Sequence, residues 1–299
     1  MIKTHELEKS FDGFKALDSV NIHVKKGTVY GLVGPNGAGK TTLIKTLIGA
    51  YKKDSGQVLV NGSEVYENNH VKNKISYIAD ELYFYPNYRI IDMAKFYSSI
   101  YPTWSWDRFD SLTKVFDMDI NRKVNKMSKG MKKQVAFWLA ISSRTDIMVL
   151  DEPVDGLDPI TRKKVWSLVM QDVAEYETTV LVSSHNLREL EDVCDHVGIM
   201  HKGKLILEKE LDDAKSSVHK IQVAFKEDIP EHIFENSDIL YKNTLGSVHT
   251  LIMRGNRENI VKALENTSPL LLNLIPLSLE EVFIYEIGGT GYEVDNILL

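Results

Sequence analysis

Three features of the sequence predict an α/β fold built on a mostly parallel sheet. Residues 28–33 form an apolar, β-prone run that leads directly into a glycine-rich segment. Beyond that segment, residues 43, 44, 47 and 48 are apolar, which is the spacing of an amphipathic helix. A second apolar run, residues 147–150, ends in two acidic residues, as buried parallel strands do at the carboxyl edge of a sheet.

The glycine-rich segment lies at a predicted strand-to-helix turn, which is the context that a phosphate-binding loop requires. Its glycines let backbone N–H groups converge on an anion, and the helix N-terminus adds partial positive charge. Lys40 is placed to reach the β- and γ-phosphates, and the Thr41 hydroxyl is placed to ligate Mg²⁺. A chance lysine in a glycine-rich connection is the alternative, but the match extends over eight positions in the right context. The predicted nucleotide-binding residues of this loop are Gly34, Pro35, Asn36, Gly37, Ala38, Gly39, Lys40, Thr41 and Thr42.

Asp151 and Glu152 follow the apolar run at 147–150, so they are predicted at the carboxyl edge of the sheet. Asp151 is placed to hold Mg²⁺ or its water shell, since this cation prefers carboxylate oxygens. Glu152 is the better candidate for polarising an attacking water. An isolated Asp-Glu-Pro is more simply a strand exit, but beside a phosphate loop we predict a catalytic role.

Residues 127–131, Met-Ser-Lys-Gly-Met, stand between the loop and the Asp151 strand. With them the chain resembles the ATP-binding-cassette (ABC) ATPases, whose signature is Leu-Ser-Gly-Gly-Gln, although it departs at three of five positions. The variant resembles that of bacterial exporter-type subunits. The resemblance implies a P-loop ABC cassette, with a small antiparallel β subdomain and a helical subdomain beside the main sheet. It also implies that Ser128 and Gly130 contact the γ-phosphate of ATP held by a second cassette.

Three further positions match motifs of that family. Asp158 matches the aspartate of the D-loop, which touches the opposite site. His185 follows an apolar strand and matches the switch histidine, which senses the γ-phosphate. Phe11 lies upstream of the phosphate loop, where the family carries an aromatic residue that stacks on adenine. The catalytic residues that the resemblance implies are Glu152, His185 and Lys40.

Asp80 is a departure from the family pattern, which has a glutamine at this position after the strand that follows the antiparallel sheet. A carboxylate still offers an oxygen to Mg²⁺ but has no amide N–H to donate, and it adds negative charge beside the triphosphate. We therefore predict that Asp80 keeps the metal role and alters the coupling to transport. The predicted Mg²⁺ ligands are Thr41, Asp80 and Asp151.

Composition limits the remaining possibilities. The 299 residues allow one large or two modest domains, and 36 basic against 42 acidic residues argue against a general nucleic-acid binder. The single cysteine, Cys194, is expected as a core thiol in a helix over residues 187–194. We find no signal peptide, and the apolar stretches fall short of the ~20 residues that a spanning helix needs. A soluble chain is expected, bound to the cytoplasmic face of the cell membrane through a membrane partner.

The predicted nucleotide-binding domain covers residues 1–212, with its helical subdomain at about 86–143. Residues 55–62 are predicted as a strand closed by an Asn-Gly turn. Aromatic residues are dense between 83 and 106, where local core packing and docking of partner helices both fit them. Residues 213–299 are predicted as a small C-terminal α+β domain with an accessory or regulatory role. Its predicted elements are strands at 221–225 and 248–253 and a helix at 258–264.

One phosphate loop and one signature in a single chain imply, by the family resemblance, that a working site needs two cassettes. The leading interpretation is the ATPase subunit of a membrane transporter that uses ATP and Mg²⁺. Its expected partners are an integral-membrane permease subunit and a second cassette, identical or paralogous. The alternative is a soluble ABC-type ATPase acting on DNA or ribosomes, but we find neither sustained heptads nor a second cassette. An unrelated P-loop enzyme would leave the signature and His185 unexplained.

Overall fold

The computed structural model describes residues 1–225 and 238–288. The chain forms two units, of which the first comprises Met1–His185 and Val193–Glu208. The second comprises Asn186–Asp192 and the described residues from Lys209 onward. The second unit is therefore discontinuous in sequence. The assignment of residues 1–212 and 213–299 to separate functional domains stays a prediction.

Apart from residues 186–192, the helices and strands up to Glu208 build the first unit, and the last of these strands continues to Glu210. In chain order they are β1 (Ile2–Phe11), β2 (Phe14–Val20), β3 (His23–Val24), β4 (Val29–Val33), α1 (Lys40–Leu47), β5 (Ser55–Val60), β6 (Ser63–Glu64), α2 (Asn69–Lys72), β7 (Ile75–Ile78), α3 (Ile90–Ile100), α4 (Trp106–Phe116), α5 (Lys129–Ser142), β8 (Ile147–Asp151), α6 (Pro159–Tyr176), β9 (Thr179–Ser184), β10 (His196–His201) and β11 (Lys204–Glu210). Short 3₁₀ helices lie at Val124–Lys126 in the first unit and at Leu187–Glu189 in the second unit.

The central sheet has six strands in the order β11-β10-β4-β9-β8-β7. The four pairings from β10 to β7 are parallel. Strands β4, β8 and β9 are buried along their whole length, which explains why their sequences are continuous apolar runs rather than alternating ones. The predicted α/β fold with a mostly parallel sheet is confirmed. Because the strands are parallel, the carboxyl ends of β4, β8 and β9 meet at one edge.

A second sheet is antiparallel, in the order β2-β1-β5-β6, and β3 also pairs with β1. The predicted Asn-Gly turn joins β5 to β6, with Val60 opposite Ser63. Asn61 and Gly62 both adopt positive φ, 51° and 77°, as a two-residue hairpin turn requires. This sheet is the small antiparallel subdomain that the family resemblance implied.

Helices α3, α4 and α5 occupy the predicted helical region. Phe109 and Phe116 of α4 stack on Trp138 of α5, at ring-centroid distances of 4.8 and 5.5 Å. The indole N–H of Trp138 donates to the Phe109 carbonyl at 2.9 Å, so the buried ring has its hydrogen-bond partner. Trp104 of the aromatic stretch at 83–106 packs against Phe109 with ring centroids 5.8 Å apart, so part of that stretch adjoins the core, while Tyr83 is 77% exposed.

The described part of the second unit forms an antiparallel sheet in the order β13-β14-β12-β15. Its elements are α7 (Leu211–Ser217), β12 (Val218–Ala224), β13 (Asp238–Leu245), β14 (Val248–Arg254), α8 (Arg257–Glu265), β15 (Leu271–Ile275) and α9 (Leu279–Gly288). Ile260 and Leu264 of α8 pack into a core with alternate residues of β12 and β14. The unit thus has a hydrophobic core of its own.

The helix predicted over residues 187–194 is wrong, because only Leu187–Glu189 is helical, as a single 3₁₀ turn. Asp195 pairs with β4: its N–H donates to the Val29 carbonyl and its carboxylate accepts from the Val29 N–H. The chain must leave helical geometry before that pairing begins. Burial raises the pKa of the half-buried Cys194 thiol.

Candidate active site

The glycine-rich loop joins β4 to α1 and approaches its neighbours closely. A Cβ on Gly34 would lie 2.3 Å from the Met200 carbonyl oxygen of β10, so that position excludes any side chain. Gly39 precedes α1 with φ +107°, a left-handed conformation that favours glycine. These constraints fix the loop at the N-terminus of α1, where backbone N–H groups can face an anion.

Lys40 is the first residue of α1 and is buried. Its ammonium donates to the carbonyl oxygens of Gly34, at 2.5 Å, and Pro35, at 3.3 Å. It also lies 3.3 Å from Oε1 of Glu152. The lysine therefore connects the phosphate loop to the carboxyl end of β8.

Asp151 and Glu152 stand at that end of β8, beside the end of β9. The Ser183 hydroxyl donates to Asp151 Oδ1 at 2.6 Å and accepts the Glu152 backbone N–H at 3.1 Å. The residue after β9, His185, places Nδ1 2.9 Å from Glu152 Oε2, and its backbone N–H donates to the same oxygen at 3.3 Å. The structure thus brings Lys40, Glu152 and His185 together around one carboxylate.

Glu152 combines burial with an unusual backbone. Its φ is +46°, which is uncommon for a residue with a side chain. Its Oε1 is buried and lies at ion-pair distance from Lys40 without hydrogen-bond geometry, whereas Oε2 is engaged by His185. The two oxygens therefore face different partners, and the carboxylate is held in one orientation. Such backbone conformations cost about 1–3 kcal/mol and concentrate at functional sites.

A cavity of about 330 Å³ lies beside the loop. Its described lining residues are Phe11, Phe14, Ala16, Asn36, Gly37, Ala38, Gly39, Lys40, Thr41, Thr42, Asp80 and Glu152. Phe11 is 40% exposed and meets Tyr51 edge to face, with ring centroids 5.3 Å apart. An open aromatic face at one end and a phosphate loop at the other suit a nucleoside triphosphate. Sequence reasoning did not assign Phe14, which is 69% exposed.

The signature and the D-loop are neighbours, because a Cβ on Gly130 would lie 3.2 Å from the Gly156 carbonyl oxygen. Ser128 caps α5 by accepting the Met131 N–H at 3.3 Å. Asp158 caps α6 by accepting the Ile160 and Thr161 N–H groups, and the hydrogen bonds from Thr161 lower its pKa. Ser128, Gly130 and Asp158 are not among the described residues that line the phosphate-loop cavity.

Two residues that sequence reasoning left unassigned join the site. Lys133 of α5 donates to the Glu152 carbonyl oxygen at 2.5 Å and lies 3.7 Å from Asp80 Oδ1. Burial lowers the pKa of Lys133, against the attraction of nearby carboxylates. Asp155 offers an oxygen within 4.8 Å of ligating atoms of Glu152 and His185. No signal in the sequence separates Lys133 from Lys129 and Lys132, the other lysines among the first five residues of α5, and the signal for Asp155 was an acid two residues beyond Pro153.

The arrangement of these residues defines a P-loop nucleoside triphosphatase, since its phosphate loop joins a parallel strand to a helix and faces acidic residues of the neighbouring strands. Residues 17–155 match the family described as ABC transporter. An ABC transporter ATP-binding protein of Bacillus subtilis, YtrB, is 32% identical over 97% of this chain and 99% of its own length. The bacitracin transport ATP-binding protein BcrA of Bacillus licheniformis is 30% identical over 97% and 98%.

Solved structures agree with the fold. An ATP-binding subunit of an ABC transporter superimposes with a TM-score of 0.68 and 25% identity, over 72% of this chain and 92% of that one. A dimeric bacterial ABC transporter cassette gives a TM-score of 0.65 at 22% identity, over 71% and 99%.

This chain belongs to the ABC transporter ATP-binding proteins, and it is the ATP-hydrolysing subunit of a membrane transporter. The prediction of a transport ATPase is confirmed over the alternative of a soluble ATPase acting on DNA or ribosomes. Among residues 1–225 and 238–288, no helix is both long enough and apolar enough to cross a bilayer.

Proposed function

We propose that this chain hydrolyses MgATP in a site completed by a second cassette, and that it drives an integral-membrane permease from the cytoplasmic face of the membrane. The observation that carries the proposal is a division of the predicted site residues. Lys40, Glu152 and His185 converge beside the phosphate loop, whereas the signature pair, Ser128 and Gly130, does not line that cavity. A second copy would supply the signature, and one twofold rotation would complete both sites.

In this proposal the loop N–H groups and Lys40 bind the phosphates, so the Lys40 ammonium exchanges loop carbonyls for phosphate oxygens. Glu152 orients the attacking water and accepts its proton, while His185 holds the glutamate through Oε2. Phe11 offers its ring face to the adenine. Ser128, Gly130 and Asp158 contact the nucleotide of the opposite cassette. Catalysis then rests on positioning and charge stabilisation.

Mg²⁺ fits the donors beside the loop. Thr41 and Asp80 line the same cavity, and Asp151 keeps a buried carboxylate at the end of β8 with one oxygen engaged by Ser183. Hydroxyl and carboxylate oxygens are the ligands that this cation prefers. When bound, Mg²⁺ would neutralise charge on the β- and γ-phosphates.

In the proposed mechanism, the second cassette closes on this one around ATP, and the permease responds to that closure. ATP binds the closed pair of cassettes preferentially, so binding favours closure, and loss of phosphate allows reopening. The permease would convert this cycle into movement of a transported compound. We assign an accessory or regulatory role to the C-terminal domain, residues 213–299.

The test is Glu152→Gln in the full chain. Removing the general base should lower turnover about 10²- to 10⁴-fold while ATP binding persists, so the variant should accumulate as an ATP-bound dimer. Light scattering after size exclusion measures the dimer. Lys40→Ala is the matched control, because it should lose ATP affinity and stay monomeric.

The same Glu152→Gln protein, purified with ATP from native membranes in mild detergent, should carry a multi-spanning membrane protein in near-equal amount. Mass spectrometry identifies that partner. Near-normal turnover of the variant would contradict the role of Glu152. Recovery of ribosomal proteins without a membrane partner would contradict the permease assignment.

A further inference from the structure

A lysine is buried beneath the candidate catalytic carboxylate. Lys133 is the fifth residue of α5 and is 0% exposed, whereas Lys132 and Gln134 on either side of it are half-buried. Burying an ammonium group costs several kcal/mol unless it is paired and hydrogen-bonded. A lysine in this position therefore depends on the partners that its ammonium reaches.

One of these partners is the backbone of Glu152. The Lys133 ammonium donates to the Glu152 carbonyl oxygen at 2.5 Å. Glu152 has φ +46°, so its carbonyl and its side chain are oriented by a left-handed backbone conformation. A charge-assisted hydrogen bond to that carbonyl stabilises the conformation in which the carboxylate faces Lys40 and His185.

The other partner is Asp80, whose Oδ1 lies 3.7 Å from the same ammonium. Asp80 is 49% exposed and lines the phosphate-loop cavity. It also lines a second cavity of about 510 Å³, together with Lys129, Lys132 and Lys133. The carboxylate therefore stands between the nucleotide cavity and the N-terminal part of α5.

The charges near the phosphate loop explain why the contact between Lys133 and Asp80 affects ATP binding. The carboxylates of Asp80 and Glu152 line the cavity proposed for the triphosphate, where Lys40 is the one cation among the described lining residues. Asp155 offers an oxygen within 4.8 Å of a ligating atom of Glu152, and Asp151 shares the Ser183 hydroxyl with the Glu152 backbone, so negative charge exceeds positive charge here. Like charges at short distance in a partly buried site repel each other strongly. Lys133 adds a second cation on the α5 side.

We propose that Lys133 is a positioning residue of the ATPase site, whose ammonium balances the Asp80 carboxylate and holds the Glu152 backbone in its active conformation. This inference rests on the proposed function and deepens it. It joins α5, which Ser128 caps, to the water-activating glutamate through one side chain. It also assigns a counter-ion to Asp80, the carboxylate that sequence analysis identified as added charge beside the triphosphate.

The experiment is a double-mutant cycle in the full-length chain, with Lys133→Met, Asp80→Asn and the double variant. Lys132→Met is the matched control, because Lys132 is the neighbouring lysine, lines the same cavity and is only partly buried. Three quantities are measured: kcat and KM for MgATP, the Kd for ATP in EDTA, and the melting temperature.

Lys133→Met should lower kcat about tenfold or more with KM changed less than about threefold, since positioning of the base acts in the transition state. The same variant should weaken ATP binding in EDTA severalfold. In the Asp80→Asn background, Lys133→Met should still lower kcat, because the hydrogen bond to the Glu152 carbonyl is lost in either background, but it should no longer weaken ATP binding in EDTA, because the unbalanced carboxylate is gone. Lys132→Met should stay within about twofold of the wild type in every quantity.

An equal weakening of ATP binding in EDTA by Lys133→Met in both backgrounds, an unchanged kcat in Lys133→Met, or equal effects of Lys132→Met and Lys133→Met would overturn the inference. If Lys133→Met does not fold, Asp80→Asn is measured alone. This variant leaves the Lys133 ammonium without its carboxylate, so it should bind ATP more tightly than the wild type in EDTA. Unchanged or weaker binding would overturn the pairing of Lys133 with Asp80. Wild-type turnover and the Glu152→Gln dimer are measured in parallel. If wild-type turnover and the Glu152→Gln dimer behave as proposed while the double-mutant cycle shows no coupling between Lys133 and Asp80, only this inference fails.

Discussion

In the proposed site, Phe11 is the residue that holds the nucleobase. Its ring is 40% exposed, is supported edge-on by Tyr51, and carries the Lys9 ammonium 5.1 Å from its centroid. A phenylalanine has no polar atom, so its contribution to base binding is contact with a π face. Such a contact accepts any flat base and gives affinity rather than selectivity.

Phe11→Ala should therefore raise the KM for ATP roughly tenfold and leave kcat nearly unchanged, because stacking is worth ~1 kcal/mol beyond its buried area. Phe11→Tyr should retain wild-type KM. Steady-state kinetics with ATP and GTP measures both effects, and the two nucleotides should suffer alike. Phe14→Ala is the comparison in the same cavity; a larger loss there than from Phe11→Ala would transfer the stacking role to Phe14.

The sequence predicted most residues of this site because they belong to short segments with a chemical reason for their spacing. The loop from Gly34 to Thr41 and the acidic pair after β8 could be placed on a strand-to-helix turn and a strand end without a structure. Lys133 could not, because its function depends on a carbonyl of a residue 19 positions away and on Asp80. Contacts across the fold leave no periodic pattern in the sequence.

Among the elements, α5 connects three regions of the first unit. Its N-terminus is capped by Ser128, its fifth residue is Lys133, and Trp138 near its end stacks with α4. The helix is unbroken over its 14 residues, so we expect a displacement at the signature to reach both the Glu152 backbone and the aromatic core. The helical region is therefore mechanically continuous with the site.

A buried ion pair fixes α4 to α6. Arg108 Nη2 lies 2.7 Å from Asp172 Oδ1, and both side chains are largely buried. Burial raises the pKa of Asp172 to about 6 in spite of the Arg108 guanidinium, which lowers it. The folded protein thus binds more protons here than the unfolded chain between about pH 4 and 6, so ionisation of Asp172 lowers stability as pH rises through this window.

Arg108→Met should destabilise the protein by about 3 kcal/mol, because it leaves a buried carboxylate without its cation. The loss should be largest at pH 8 and smaller at pH 5, where the carboxyl group can become neutral. Urea unfolding at the two pH values measures it. The double variant Arg108→Met/Asp172→Leu should recover most of the stability and lose the pH dependence; an equal loss at both pH values would contradict the explanation.

The strands and helices with strong apolar patterns were predictable, whereas β13, β15 and the segment after His185 were not. Every residue of β13 and β15 is exposed or half-buried, so neither strand has the alternation of buried and exposed positions that signals a strand. The segment after His185 has helix-forming residues, but the pairing of Asp195 with Val29 overrides them. In each case neighbouring elements determine the conformation more than the local sequence does.

At the scale of the whole molecule, the second unit includes a segment from the interior of the sequence. Leu187 and Leu190 are buried, and Arg188 pairs with Glu280 of α9 at 2.8 Å. These contacts lie within the second unit. The segment that follows the candidate switch histidine is therefore stabilised by residues near position 280.

A chain ending at Glu208 should lose the protection of this segment. Amide hydrogen exchange at Leu187–Leu190 should become faster by about tenfold or more, because these residues lose the neighbours that bury them. Amides of β8, Ile147–Asp151, serve as the internal control and should stay protected. Slow exchange at Leu187–Leu190 in the shortened chain would show that the first unit alone orders the segment.

The discontinuity of the second unit has a consequence for recombination between relatives. A crossover at a single point near residue 209 would join one protein's C-terminal unit to another's Asn186–Asp192, and the interlocking residues, such as Arg188 and Glu280, would come from different ancestors. A chimera that keeps its native partners needs two exchanges, one directly after His185 and one from Lys209 onward. Residues 186–192 and the residues from 209 onward should therefore be inherited together, although they are encoded by two separate parts of the gene.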